Sequence, residues 1–338
     1  MFTLKYAALL MLVAQNTFLV ILMRVSRTAE GNMYASSTAV AIMECLKFIT
    51  CLGVILYEQN LNLKNAIQVI KEEVIDKPSE LLKLGVPSVL YVIQNNLLYY
   101  ALSHLDAATY LVGYQSKIIT TAIFATFMLG RKLTTLQWIS LLLLTVGVSL
   151  AQLHASSSSP STSGTPINQN SASGFIAVLL AACTSGFSGI YFEKILKGSK
   201  TSLWLRNIQM GLSSIFIAFI GVYFQDGSQV YEKGFFFGYT KIVWAVVLLQ
   251  ALGGLVVAVV VKYADNILKG FAASFSIVTS CIICYFFLDF QPSIAFVLGS
   301  CLVLLSSYMY EKGLPNFLSF LKIRIPVSRK YFFGRHFS

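Results

Sequence analysis

Charge is scarce in this 338-residue chain: Asp, Glu, Lys and Arg make up 12% of it, against the roughly 25% of an ordinary soluble domain. Histidine is scarcer still, with three residues (His104, His154, His336) spread along the chain. No acidic cluster joins them inside the apolar segments, so neither a resident metal nor a cofactor is expected. No GxxxxGK[ST] loop occurs, which argues against pumping driven by ATP. Asp226, Glu232 and Asp289 stand isolated, leaving a membrane enzyme without the paired carboxylates or metal ligands it would need. Catalysis is therefore not expected. No Asn-x-Ser/Thr acceptor is found. Residues 7–23 lack a small-residue cleavage site and read as a first span, not a signal peptide.

Long apolar runs are what the chain has instead. Hydrophobic residues make up 56% of it, and about 20 consecutive apolar residues suffice to cross a bilayer. Ten segments qualify: 4–23, 34–57, 80–104, 107–129, 134–152, 174–196, 202–224, 241–262, 267–288 and 291–310. The expected fold is an all-α membrane protein of about ten transmembrane helices. Cys281 and Cys284 have metal-like spacing, but all six cysteines fall within these spans and read as small packing residues.

The net charge of +11 has a topological reading, because lysine and arginine collect on the cytosolic side. With a cytosolic amino terminus and ten spans, roughly 19 of the 25 basic residues fall at cytosolic ends. Arg24, Arg27, Lys233 and Lys241 fall on the other side. Both termini are then cytosolic, and nucleic acid is not an expected partner.

A Ser-rich, uncharged stretch (154–173) sits between spans five and six and reads as a flexible linker. It divides a first five-helix repeat (1–153) from a second (174–311), which a basic cytosolic tail follows (312–338). Shifting the sequence by 159 residues aligns Asp106 with Asp265, and the apolar run after Ile118 with that after Ile277. Five spans per half make the repeats inverted in topology, a transporter plan that places the site at the repeat interface. Residues 58–79 carry both charges and read as an interfacial connector.

Lys117 lies in the middle of span four. A bare ammonium there costs roughly 2.5–3.5 kcal/mol even on lenient insertion scales, so it should face a polar cavity. Lys269 opens span nine. Two cations inside a polytopic protein point to an anionic cargo. Glu44 and Lys47 share a face of span two and read either as an ion pair or as cavity lining. Span three carries Tyr91, Gln94, Asn95 and Asn96, whose amides and hydroxyl could read a base edge. Tyr110 and Tyr114 follow spacings of four and three towards Lys117, and span seven adds Asn207 and Gln209. Ser185, Gly186 and Gly189 read either as close helix packing or as site lining.

Five stretches closely resemble one known family. They are Tyr91-Val-Ile-Gln-Asn-Asn96, Leu105-Asp-Ala-Ala-Thr-Tyr110, Ser185-Gly-Phe-Ser-Gly-Ile-Tyr-Phe-Glu-Lys194, Trp204-Leu-Arg-Asn-Ile-Gln209 and Lys262-Tyr-Ala-Asp-Asn-Ile-Leu-Lys-Gly-Phe271. The family is the Golgi nucleotide-sugar transporters, in the subgroup for UDP-N-acetylglucosamine, UDP-galactose and CMP-sialic acid. The likeness covers about residues 3–310.

That resemblance implies the drug/metabolite-transporter fold and exchange of a cytosolic nucleotide sugar for a luminal nucleoside monophosphate. It implies phosphate binding by Lys117 and Lys269. Tyr91, Gln94, Asn95, Ser185, Gly186, Gly189 and Asn207 would surround the nucleoside. Glu44, Lys47, Tyr110, Tyr114 and Gly211 would lie toward the sugar. Glycine at 211 favours a UDP-sugar over CMP-sialic acid, where family members tend to carry tyrosine. A CMP-sialic acid/CMP antiporter, or a permease for another solute, is the alternative. One run departs from the family pattern: Tyr-Gln-Val-Thr-Tyr-Gln-Leu-Lys becomes Tyr110-Leu-Val-Gly-Tyr-Gln-Ser-Lys117. Leu111 and Gly113 would then remove polar groups beside the sugar. The expected partners are a UDP-sugar, UMP and the bilayer, with a homodimer or an association with glycosyltransferases as the assembly. The expected location is the Golgi membrane.

Overall fold

The computed structural model describes residues 2–28, 34–157, 171–199, 201–287 and 293–320. Among the described residues all regular structure is helical: α1 (Phe2–Thr28), α2 (Ser36–Glu58), α3 (Leu63–Ile70), a π-helical turn (Lys71–Ile75), α4 (Pro78–His104), α5 (Ala107–Tyr114), α6 (Lys117–Leu129), α7 (Thr135–Ser157), α8 (Ser171–Gly198), α9 (Leu203–Lys233), α10 (Lys241–Tyr263), α11 (Asn266–Phe287) and α12 (Ile294–Phe320). Most of the Ser-rich linker (158–170) and of the basic tail (321–338) lies outside the described residues.

Eight of these helices are long and apolar enough to cross a membrane: α1, α2 and α7 to α12. The chain is a multi-pass membrane protein. The expected count of ten differs from eight at spans three and four. The amides Gln94, Asn95 and Asn96 lower the apolarity of α4, and the fourth run is divided into α5 and α6, each too short to cross alone. Two further boundaries depart from expectation. Helix α12 continues past residue 312 to Phe320, and α9 runs 31 residues, about 46 Å at 1.5 Å per residue.

Local chemistry sets where helices begin. Asn62 accepts hydrogen bonds from the amides of Lys64 and Asn65 (3.1 and 3.3 Å) and starts α3 in the predicted connector. Pro78 opens α4, where its missing N–H costs nothing. Asp106 accepts from the amide of Thr109 at 2.9 Å, and Asp265 from that of Leu268 at 2.7 Å. The two aspartates aligned by the 159-residue shift therefore cap their helices in the same way.

Each long helix before the linker packs on one that follows it. Helix α1 lies on α10 and α11, α2 on α9, α4 on α8 and α7 on α12, while α6 also rests on α8. The two halves interleave, so neither has a core of its own. The largest buried cluster mixes Leu141 and Leu144 with Ile190, Phe271 and Val303. Helices α7 and α12 approach backbone to backbone. A Cβ on Gly147 would sit 2.9 Å from the Gly299 carbonyl oxygen, and one on Gly299 would sit 2.6 Å from that of Gly147. Such contact is how helices gain packing where lipid offers no hydrophobic drive.

Candidate functional site

The helical repeat of span four changes immediately before Lys117. At Gln115 and Ser116 the backbone stays in the right-handed helical region but tightens into a 3-10 turn: the Ser116 amide donates to the Gly113 carbonyl at 3.2 Å and the Ile118 amide to that of Gln115 at 3.0 Å. Side chains add to this turn. The Ser116 hydroxyl donates to the Gly113 carbonyl at 2.7 Å, and Gln115 Nε2 donates to Gln152 Oε1 of α7 at 2.7 Å. Thr121 Oγ1 donates to the Lys117 carbonyl at 2.6 Å. Lys117 places its charge directly after this turn.

Lys117 and Lys269 line one cavity of about 180 Å³ between α4, α6, α8 and α11. Of the other predicted residues, the structure brings Tyr91, Ser185 and Gly189 to the same walls. Tyr114 stands just beside them. Lys117 Nζ lies 4.2 Å from the centre of its ring, and Tyr110 stacks on Tyr114 at 6.4 Å. The face expected of a continuous helix is thus kept through the turn. Gln94 is buried and donates to the Tyr114 hydroxyl at 2.9 Å.

Several predicted residues sit elsewhere. Asn95 points outward, away from the cavity lining. Gly186 is packed under α6, where a Cβ would lie 2.7 Å from Thr120 Oγ1 and 2.8 Å from the Thr121 amide. Asn207 is buried and donates back to the Leu203 carbonyl at 2.9 Å. Gln209 holds the connector, donating to the Glu73 carbonyl at 2.7 Å and accepting from Arg206 at 2.9 Å. Glu44 and Lys47 form an ion pair at 2.7 Å, with Lys47 lying against Gly254. Gly211 faces Phe48 of α2, 3.2 Å from where its Cβ would be. Gly113 does not border the lysines. It packs on Val178 and lines a separate cavity between α5, α6, α7 and α8.

The structure also supplies residues that the sequence reading did not select. Thr121, Asn266 and Gly270 line the lysine cavity. Asn266 Nδ2 donates to the Gly189 carbonyl at 2.6 Å and to Glu193 Oε2 at 3.1 Å. Glu193 has no exposed surface. Arg131 meets its Oε1 at 2.6 Å and Lys197 meets the same oxygen at 2.8 Å, while Arg131 reaches Asp265 at 2.9 Å. Asn266 joins this ion cluster to the cavity, and through Arg131 the cluster ties the end of α6 to α8 and to the start of α11. A carboxylate inside predicted span six was the available signal, since ionisable residues in spans are functional or paired.

The family model for nucleotide-sugar transporters matches residues 1–311. The UDP-N-acetylglucosamine transporter of Homo sapiens is 50% identical over 314 residues, covering 91% of this chain and 95% of that one. The Rattus norvegicus protein of the same name is 49% identical over 310 residues, with the same coverage. The UDP-galactose translocator of Mus musculus is 48% identical over 309 residues, 91% of this chain and 78% of its own. A protein crystal structure at 13% identity matches with a TM-score of 0.62 over 91% of this chain and 96% of its own, a likeness of fold alone. The chain belongs to the nucleotide-sugar transporter family.

Proposed function

We propose that this protein is an antiporter that brings a UDP-sugar, UDP-N-acetylglucosamine or UDP-galactose or both, from the cytosol into the Golgi lumen in exchange for UMP. The observation that carries the reading is the pair of lysines, Lys117 and Lys269, lining one cavity beside Tyr91 and Ser185. The relatives' names supply the class of cargo. Two ammonium groups in a membrane interior suit a diphosphate, which brings charge-assisted hydrogen bonds to both. With the site empty the two cations repel. An anion relieves that repulsion and lowers the cost of carrying the site between its two faces.

In this reading Lys117 and Lys269 hold the phosphates. Tyr91, Ser185 and Gly189 contact the nucleoside directly, with Gln94 steering Tyr114 and Asn266 closing the floor. The two halves act as inverted five-span repeats, supported by the interleaved packing and the matched caps at Asp106 and Asp265. Both termini then face the cytosol. The deciding experiment is uptake of a panel of labelled nucleotide sugars into proteoliposomes preloaded with UMP. A UDP-sugar should be taken up fastest. Preference for CMP-sialic acid, or for an uncharged solute, would refute the assignment.

A further inference from the structure

Helix α11 carries a different chemistry on each of two faces. Asn266, Lys269, Gly270 and Ala273 follow spacings of three and four and face the lysine cavity. Leu268, Ala272 and Phe275, spaced the same way, face a second and larger cavity of about 600 Å³ between α1, α11 and α12. That volume lies within the roughly 300–1,000 Å³ usual for ligand pockets. Leu9, Leu10 and Val13 of α1 form its opposite wall, and Leu10 is 70% exposed.

The mouth of this groove is polar and carries both signs of charge. Lys5, Tyr6, Gln137, Asp265 and Glu311 border it. The Tyr6 hydroxyl donates to Glu311 Oε1 at 2.6 Å, and Lys5 Nζ lies 5.5 Å from the centre of the same ring. One ammonium and one carboxylate therefore flank a single tyrosine. Asp265 is already matched by Arg131. Among the described residues neither Lys5 nor Glu311 has an ion-pair partner.

We infer that the α1–α11–α12 groove binds a zwitterionic phospholipid, with an acyl chain between Leu10 and Phe275, the phosphate at Lys5 and the head-group ammonium at Glu311. The apolar walls of α1 and α11 suit a chain. The balanced mouth disfavours both an anionic and an uncharged lipid, because each would leave one of the two charges without a counterpart. Occupancy would brace the rear of the helix whose front carries Lys269. This inference does not depend on which nucleotide sugar is carried.

Native mass spectrometry of the full chain in detergent, titrated with phosphatidylcholine, phosphatidylglycerol and diacylglycerol, tests it. The wild type should take up one phosphatidylcholine in preference to the other two. Lys5→Glu should weaken that binding about tenfold, a change of roughly 1.4 kcal/mol. Leu10→Trp, at a position exposed enough to keep the fold, should weaken it similarly with the thermal midpoint unchanged. Equal binding of phosphatidylglycerol or diacylglycerol would overturn the inference, as would wild-type binding by both variants. A photoactivatable phenylalanine analogue at position 10 identifies the occupant. Label on phospholipid supports the site. Label on residues 312–338 of the same chain, or on a second copy, refutes it.

Discussion

Arg131 and Glu193 meet at 2.6 Å in a place where the glutamate has no exposed surface. The contact ties the end of α6 to α8, and Asn266 extends it to the start of α11 and to the cavity floor. Removing Glu193 takes the carboxylate from Lys197 and the acceptor from the Asn266 backbone amide, while Arg131 keeps Asp265; breaking a buried ion pair in this way costs about 3–5 kcal/mol. Glu193→Ala should therefore lower the thermal midpoint of the purified protein clearly. Thermal unfolding in detergent checks this, and a Glu193→Ala midpoint equal to wild type would show the cluster to be dispensable.

Lys117→Ala and Lys269→Ala should each nearly abolish uptake while the protein still reaches the membrane. Hydrogen bonds to charged groups are worth roughly 1.5–3 kcal/mol, and Lys→Arg should rescue poorly because a planar guanidinium does not fit the place of a compact ammonium. UMP binding by calorimetry separates a ligand role from a structural one. Unchanged affinity in Lys117→Ala would remove it from the phosphate site.

Exchange should outrun net uptake. Preloading proteoliposomes with UMP should raise UDP-sugar uptake several-fold, because the loaded carrier returns without two bare cations facing each other. Equal rates from empty and loaded vesicles would count against the mechanism.

Discrimination should follow the base more than the sugar. A site built on hydrogen bonds rejects a wrong edge strongly, since its buried polar groups are left unpaired. UMP should inhibit transport much better than AMP, GMP or CMP, and competing UDP-sugars should differ less among themselves. Strongest inhibition by CMP would reverse the assignment of the base.

Two glycines predict opposite outcomes for small changes. Gly186→Ala would force a Cβ against the backbone of Thr120 and Thr121, so α6 must shift and carry Lys117 with it. Uptake should fall several-fold with UMP affinity. Gly211→Ala meets only the Phe48 ring, at 3.2 Å, and should cost little, whereas Gly211→Tyr must displace α2 and should lower thermal stability as well as transport. If Gly186→Ala transports like wild type, the close α6–α8 approach has no bearing on the site.

Much of the architecture was legible because the bilayer imposes simple rules. Apolar runs of about twenty residues mark spans, and the rarity of intramembrane charge makes Lys117 and Lys269 conspicuous without any structure. The caps at Asp106 and Asp265 are local, so sequence carried them too. Glu44 and Lys47, three residues apart, share a helix face by spacing alone, but spacing does not separate pairing from lining; the structure pairs them at 2.7 Å.

What sequence could not determine are relationships across the fold. That Lys117 and Lys269 share one cavity depends on α6 and α11 both lying beside α8, which no local pattern encodes. The 3-10 turn at Gln115 and Ser116 is not legible either, because hydropathy averages over a run and does not register where the backbone bonding pattern tightens. Asn207 and Gln209 have the chemistry to read a base, yet the nearest carbonyls claim their amide groups: Leu203 for one, Glu73 for the other. Asn266 and Glu193 lie within recognisable stretches, but only three-dimensional proximity joins them to each other, to Arg131 and to the cavity. Composition and periodicity determined that this chain is a polytopic helical protein with cations in its spans. Tertiary packing decided which side chains those cations meet, because a polar group in a membrane interior takes the partner that the neighbouring helices bring within reach.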